Sequence, residues 1–105
     1  MRKLCLEISE AAVSDLLEQA DWYAAHANDQ LATRWERAVT LTMMHILDYP
    51  DAAPVAAFKN PQLADVRRIP VEGFPRHLIF YRVAETTVQV IRVLHGARDL
   101  ESLFS

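Results

Sequence analysis

VRRIPVEGFPRHLIFYRVAETTVQVIRVLHGARDL, residues 66–100, is the stretch that decides the fold of this chain. It holds three apolar segments, residues 66–71, 77–83 and 87–94, separated by brief turn-forming pieces. Glu72-Gly73-Phe74-Pro75 supplies the first turn, with Gly73 as its flexible member, and Ala84-Glu85-Thr86 supplies the second. Strand-like segments joined this closely form an antiparallel meander. The last segment is rich in β-branched residues, which suit a pleated surface. Pro70 cannot donate to a ladder, so the first of the three strands belongs at a sheet edge. The stretch closes in Leu94-His95-Gly96-Ala97-Arg98-Asp99, where Gly96 suits a sharp exit from the strand. Residues 97–104 are read as a brief helical turn or tail.

Upstream, the periodicity changes. Leu4, Leu6 and Ile8 alternate, which marks a short strand over residues 3–8. Ser9 is an N-cap, because its hydroxyl can accept from an orphan backbone N–H, and Glu10 suits the positive end of the helix dipole. Val13, Leu16, Leu17, Ala20, Tyr23 and Ala27 then recur in steps of one, three and four, giving an amphipathic helix over residues 10–27 with Asp15, Glu18 and Asp21 on its other side. His26-Ala27-Asn28-Asp29 is the break. A second helix runs over residues 30–48, its inner face formed by Leu31, Trp35, Ala38, Val39, Thr42, Met43, Ile46 and Leu47. So short a turn folds the two helices into an antiparallel hairpin. Tyr49-Pro50 ends the second helix, since the residue before proline leaves the α region. Residues 50–64 carry Pro50, Pro54 and Pro61 without a clear period and are read as a connection, with room for a short helical turn around residues 55–58. The expected architecture is α+β, in the order β-α-α-β-β-β, with an antiparallel helix hairpin packed on a largely antiparallel sheet.

With 105 residues, 51% of them hydrophobic, the chain is expected to form one domain, residues 1–105. Its net charge of −3 is unevenly spread. Residues 1–58 carry four Lys/Arg against nine Asp/Glu, and residues 59–105 carry seven against five, so the parts are −5 and +2. A contrast this mild does not mark a nucleic-acid-binding stripe, so no direct, specific DNA binding is expected of the chain alone. No apolar run approaches the ~18–20 residues that span a bilayer, and the first seven residues lack the apolar core of a signal peptide. Cys5 is the lone cysteine, read as a buried small hydrophobe on the first strand. A cytoplasmic protein without membrane association is expected.

The four histidines, His26, His45, His77 and His95, form no HxxxH or HExxH pattern, and there is no CxxC, so no metal site is expected. His45 sits late in the second helix, where a cation suits the dipole. With only Gly73 and Gly96, the chain cannot build a glycine-rich phosphate cradle, and no cofactor is expected. The arginines are more informative, because Arg67, Arg68, Arg76, Arg82, Arg92 and Arg98 all fall in the sheet half. Arg82 shares a side with Leu78 and Phe80, and Arg92 with Val88 and Val90. Each must sit at the sheet rim or pair with an acid. The alternative is a basic patch gripping an acidic partner through planar bidentate contacts.

Several of these pieces together resemble the ParE-type toxins of the ParE/RelE superfamily. They are the opening strand with Ser9-Glu10-Ala11-Ala12, then Asp21-Trp22-Tyr23, Tyr49-Pro50 and Arg67-Arg68-Ile69-Pro70-Val71. The most specific are Leu78-Ile79-Phe80-Tyr81-Arg82-Val83 and the run from Ile91 to Asp99. The resemblance implies the toxin of a type II toxin–antitoxin system, neutralised by a cognate antitoxin and serving plasmid or chromosome maintenance through growth arrest. It implies inhibition of DNA gyrase for ParE-like members and ribosome-dependent mRNA cleavage for RelE-like ones. A non-toxic antitoxin-binding module is the third alternative.

RelE-type nucleases rely on clustered cations and a C-terminal tyrosine to stabilise phosphoryl charge and move protons. Leu78 stands three residues before Tyr81, where they have arginine. Gly96 stands where they have a basic residue, and Phe104 cannot exchange a proton. The expectation is therefore a chain with no catalytic residues, acting by binding, with DNA gyrase as target. The partner surface is expected at Arg68, Arg76, Tyr81, His95 and Arg98. The antitoxin should be acidic over Arg68, Arg76 and Arg98, and should enter as a helix in a groove or a strand at an edge.

Overall fold

The computed structural model describes residues 4–96 and residue 103. The elements run β1 (Cys5–Ile8), α1 (Glu10–His26), α2 (Asp29–Asp48), a 3₁₀ turn (Pro61–Leu63), β2 (Arg67–Val71), β3 (Phe74–Ala84) and β4 (Thr87–His95). They assemble as an α+β fold, two helices on a four-stranded sheet ordered β1-β4-β3-β2. The three later strands form the antiparallel meander, and β1 adds parallel to β4, with Cys5 opposite Thr87 and Ile8 opposite Val90.

Local chemistry starts the helices where the sequence places them. Ser9 Oγ accepts from Ala12 N at 3.0 Å, and its hydroxyl donates to Ile91 O at 2.7 Å, so the cap of α1 is also a tie to β4. Asn28 Oδ1 accepts from Leu31 N at 2.8 Å and starts α2. The first turns carry the acids Glu10 and Asp29, which suit the positive end of the dipole, and the last turns carry His26 and His45.

The sheet is covered on both faces. Trp35, Ala38, Val39, Met43 and Ile46 of α2, with Ala12 and Ala20 of α1, pack on Val71, Ile79, Tyr81, Val88, Val90 and Val93. On the other face Leu63, Val66, Phe80 and Leu94 form a smaller cluster with Phe58, Leu78, Ile91 and Leu103. Burying each of the largest side chains contributes about 1.5–3 kcal/mol.

Pro70 falls on edge strand β2, as its missing donor requires. The loop seals part of that edge: Val55 bridges Arg67, Arg68 N donates to Pro54 O, and Ala56 N donates to Val66 O. Arg67 holds the same loop through its guanidinium, which donates to the carbonyls of Asp51 and Ala53.

Four expectations are corrected. Cys5 is on β1 but exposed, because Leu4 and Leu6 take the inward positions of this edge strand. The inner face of α1 is Ala12, Leu16, Ala20 and Tyr23, while Val13 and Leu17 are exposed, so small residues let the helix lie close to its neighbours. The loop's helical turn is at residues 61–63, and Val55 is in the bridge to Arg67. Finally, β3 begins at Phe74 rather than His77: only Glu72-Gly73 turns, Gly73 has φ +81°, and an irregularity between Pro70 and Val71 lets Val71 pair with Phe74.

Candidate functional site

Asp15 and Arg92 build one end of the site. Asp15 was expected on the solvent side of α1 but points at the sheet. Its carboxylate accepts from Arg92 Nε and Nη2, each at 2.8 Å, and from Val93 N at 3.0 Å. Those bonds to Asp15 hold the Arg92 guanidinium above its ordinary pKa, against the opposing effect of burial. The bond to Val93 N also satisfies a backbone donor near the end of β4, beyond the reach of β1.

Above this clamp, α1 and the neighbouring ends of β3 and β4 enclose a groove of ≈ 650 Å³. Residues Asp15, Glu18, Gln19, Trp22 and Tyr23 form one wall, and residues 74–77 and 93–95 form the other, with Trp35 of α2 between them. The floor is a network of rings. Trp35 meets Phe74 at 5.3 Å and His77 at 4.8 Å, and Tyr23 meets Phe74 at 5.7 Å. Trp35 Nε1 donates to Leu16 O at 3.3 Å, which satisfies the indole within the core.

Two histidines from adjacent strands face each other in this groove. His77 and His95 are register partners across β3 and β4, their ring centroids 5.4 Å apart and nearly perpendicular. His77 Nε2 is 3.3 Å from Tyr23 Oη. Burial pushes the His77 pKa down, and the charge of His95 pushes it the same way. Burial raises the Tyr23 pKa, partly offset by a hydrogen bond with Gln19. The floor therefore favours neutral groups.

Of the residues singled out from sequence, Arg76 and His95 meet at this groove. Arg68 is exposed on β2 and lines a different hollow of ≈ 410 Å³ with His45, Pro54, Pro70 and Leu78. Its register partner is Phe80, four positions along β3 from Arg76, or about 13 Å at strand rise. Tyr81 is not a surface residue: it is fully buried, and its hydroxyl donates to Pro50 O at 3.0 Å. Burial raises its pKa, against the nearby Arg67. Arg98 lies outside the described residues, so Gly96 is the last described member of the motif that begins at Leu94. Gly96 N donates to Arg76 O at 2.7 Å, and a Cβ there would stand 3.1 Å from Leu78 Cδ1. Leu78 and Gly96 are thus neighbours in space. Sequence reading missed the ring floor and Glu18, although Asp15, Glu18, Gln19 and Trp22 have the spacing of one helix face.

Among the described residues, no three His, Cys, Asp or Glu gather as they would to hold a metal, and no helix is long and apolar enough to cross a membrane.

The sequence pattern of the family described as the ParE toxin of the type II toxin–antitoxin system, parDE, matches residues 6–100. The chain belongs to the ParE toxin family. Its family is thus that of the toxin in type II toxin–antitoxin systems. Solved structures agree on the fold. A chain of the chromosomal ParDE system from P. aeruginosa matches with a TM-score of 0.73 at 16% identity, over 88% of this chain and 95% of that one. YafQ-type folds are also similar: the E. coli DinJ–YafQ toxin–antitoxin complex contributes a chain with TM-score 0.58 at 14% identity, covering 98% of this chain and 99% of that one. YafQ from E. coli strain BL21(DE3) gives 0.56 at 16%, over 98% and 100%. None of the curated proteins matches this ParE-family chain.

Proposed function

We propose that this ParE-family chain is a cytoplasmic toxin that arrests growth by binding DNA gyrase, does no chemistry itself, and is neutralised by a cognate antitoxin. The observation that carries the binding reading is the contact between Leu78 and Gly96. Where the RelE-like nucleases that the sequence resembles carry cations, this chain packs the Leu78 isobutyl group so close to Gly96 that an added Cβ would stand 3.1 Å from Leu78 Cδ1. Two cations here would have to displace that packing, and without them the negative charge of a phosphoryl transition state has no stabiliser at this position. Arg76 and His95 at the groove, together with Arg98, form the recognition surface in this reading. Arg68, on the far side of the β2–β3 pair, offers a second contact.

Purified protein should inhibit supercoiling by gyrase in proportion to its concentration. Undiminished supercoiling at a large molar excess rules the reading out.

A second reading has support from the groove. His77, His95 and Tyr23 provide paired proton-transfer groups beside Arg76. Ribosome-dependent cleavage of translated mRNA, detected by primer extension, would favour a RelE-like endonuclease. Antitoxin binding without growth arrest on induction would instead identify a non-toxic module.

A further inference from the structure

We propose that the groove between α1 and the β3–β4 end of the sheet seats an anchor from the neutralising partner protein. A large aromatic or branched aliphatic side chain enters beside Trp22, on a segment that sets a carboxylate against Arg76 and a cation against Glu18. This rests on the toxin–antitoxin reading above and assigns that partner's contact surface.

Trp22 is the first support. It is 53% exposed, an unusual state for so large an apolar ring, yet it is held in place. Its indole stacks on His26 at 4.4 Å and 14°, and meets Tyr23 edge-on at 5.7 Å. His26 Nδ1 in turn lies 3.0 Å from Trp22 O. An exposed aromatic already fixed in one position loses little entropy when a partner covers it, which is the physical profile of a binding hot spot.

The groove's size and floor are the second. A volume of ≈ 650 Å³ lined by Trp22, Tyr23, Trp35 and Phe74 admits a large side chain with the backbone that bears it. The charge of Asp15 is already committed to Arg92 and Val93 N, and burial disfavours a charge on His77.

Charge at the mouth is the third. Glu18 on α1 and Arg76 on β3 are both exposed and stand on opposite walls, and neither belongs to an ion pair among the described residues. A segment crossing the mouth meets a negative wall on one side and a positive one on the other. A polynucleotide fits poorly, because its phosphates would run along Glu18. A polypeptide carrying both signs around an apolar anchor fits both walls.

The test uses the intact chain and the product of the adjoining reading frame, with affinity measured by calorimetry. Trp22→Ala should weaken the complex at least about 30-fold, and Arg76→Glu and Glu18→Lys about 10-fold each. Met44→Ala, at an exposed α2 position outside the groove, should stay within about twofold. All four positions are exposed, so melting temperatures should match wild type. Iodide quenching gives an independent readout: exposed Trp22 is quenched in the free chain, buried Trp35 is not, and the complex should shield Trp22.

If wild type binds, but Trp22→Ala and Arg76→Glu bind equally well and iodide still quenches the complex, the groove assignment falls while the toxin–antitoxin reading stands. If wild type forms no complex, both fall. Self-association abolished by Trp22→Ala, or single-stranded RNA binding lost in Arg76→Glu, would overturn the partner-protein assignment in favour of a second copy or a nucleic acid.

Discussion

Two arginines of the sheet each rest on an aspartate, and the two pairs differ in everything except their chemistry. Between β4 and α1, Arg92 and Asp15 are 21% and 10% exposed, joined by two parallel bonds, with Val93 N as a third donor to the same carboxylate. On the loop side, Arg82 and Asp65 are 30% and 62% exposed and meet through one contact of 2.9 Å. Arg82 also donates to Gln62 O at 2.7 Å, but its Nε is buried without a partner among the described residues. The first pair fastens α1 to β4 across 77 residues of chain; the second holds a local turn across 17. Enclosure and the number of satisfied atoms, more than the presence of an ion pair, decide what such a contact is worth.

Removing Asp15 is the strongest way to break this contrast. Asp15→Ala strands a half-buried guanidinium and a backbone donor, and should lower unfolding free energy by about 3 kcal/mol in urea titration. Asp15→Asn, which keeps an acceptor for Val93 N, should lose less. If Asp15→Ala costs no more than Asp65→Ala, the contrast is wrong. Tyr81→Phe comes next. It removes only the bond to Pro50 O inside the helix-side core and should cost about 1 kcal/mol in the same titration. Asp65→Ala should cost under about 1 kcal/mol, and added salt should erase the difference from wild type.

The smallest effect concerns pH. Burial lowers the His77 pKa, so as pH falls through 6.5, its ordinary value, the unfolded chain takes up a proton that the folded chain still refuses. The stability from neutral His77 is therefore complete above pH 6.5 and declines as pH drops toward the lower folded value. His77→Gln should flatten that part of the stability–pH curve relative to wild type, and an unchanged slope would count against a desolvated imidazole.

Most of the fold was legible because it rests on local rules. Ser9 and Asn28 cap helices, Tyr49-Pro50 stops one, and Pro70 belongs on an edge. The misreadings come from balances that local rules cannot weigh. In α1, Val13 and Leu17 outweigh Ala12 and Ala20 in any apolar count, yet the alanines are buried and Leu17 is 58% exposed. Asp15 looked like a solvent-face acid because its partner is 77 residues away. Pro75 reads as a breaker, but Val71 pairs with Phe74 and the strand runs on through it. Of the residues singled out from sequence, only Arg76 and His95 line the groove, and both lie near strand ends. Its ring floor is assembled from Tyr23, Trp35, Phe74 and His77 on three elements, and Tyr81 looked functional only because a core tyrosine and a surface tyrosine are the same letter.

Because Cys5 pairs with Thr87 and Ile8 with Val90, β1 finds its place only against β4, the last of the described strands. During translation the helix hairpin can form early from neighbouring residues, but the sheet's outer strand and the Asp15 clamp must wait until β4 has left the ribosome. A product cut short before β4 therefore lacks both fastenings.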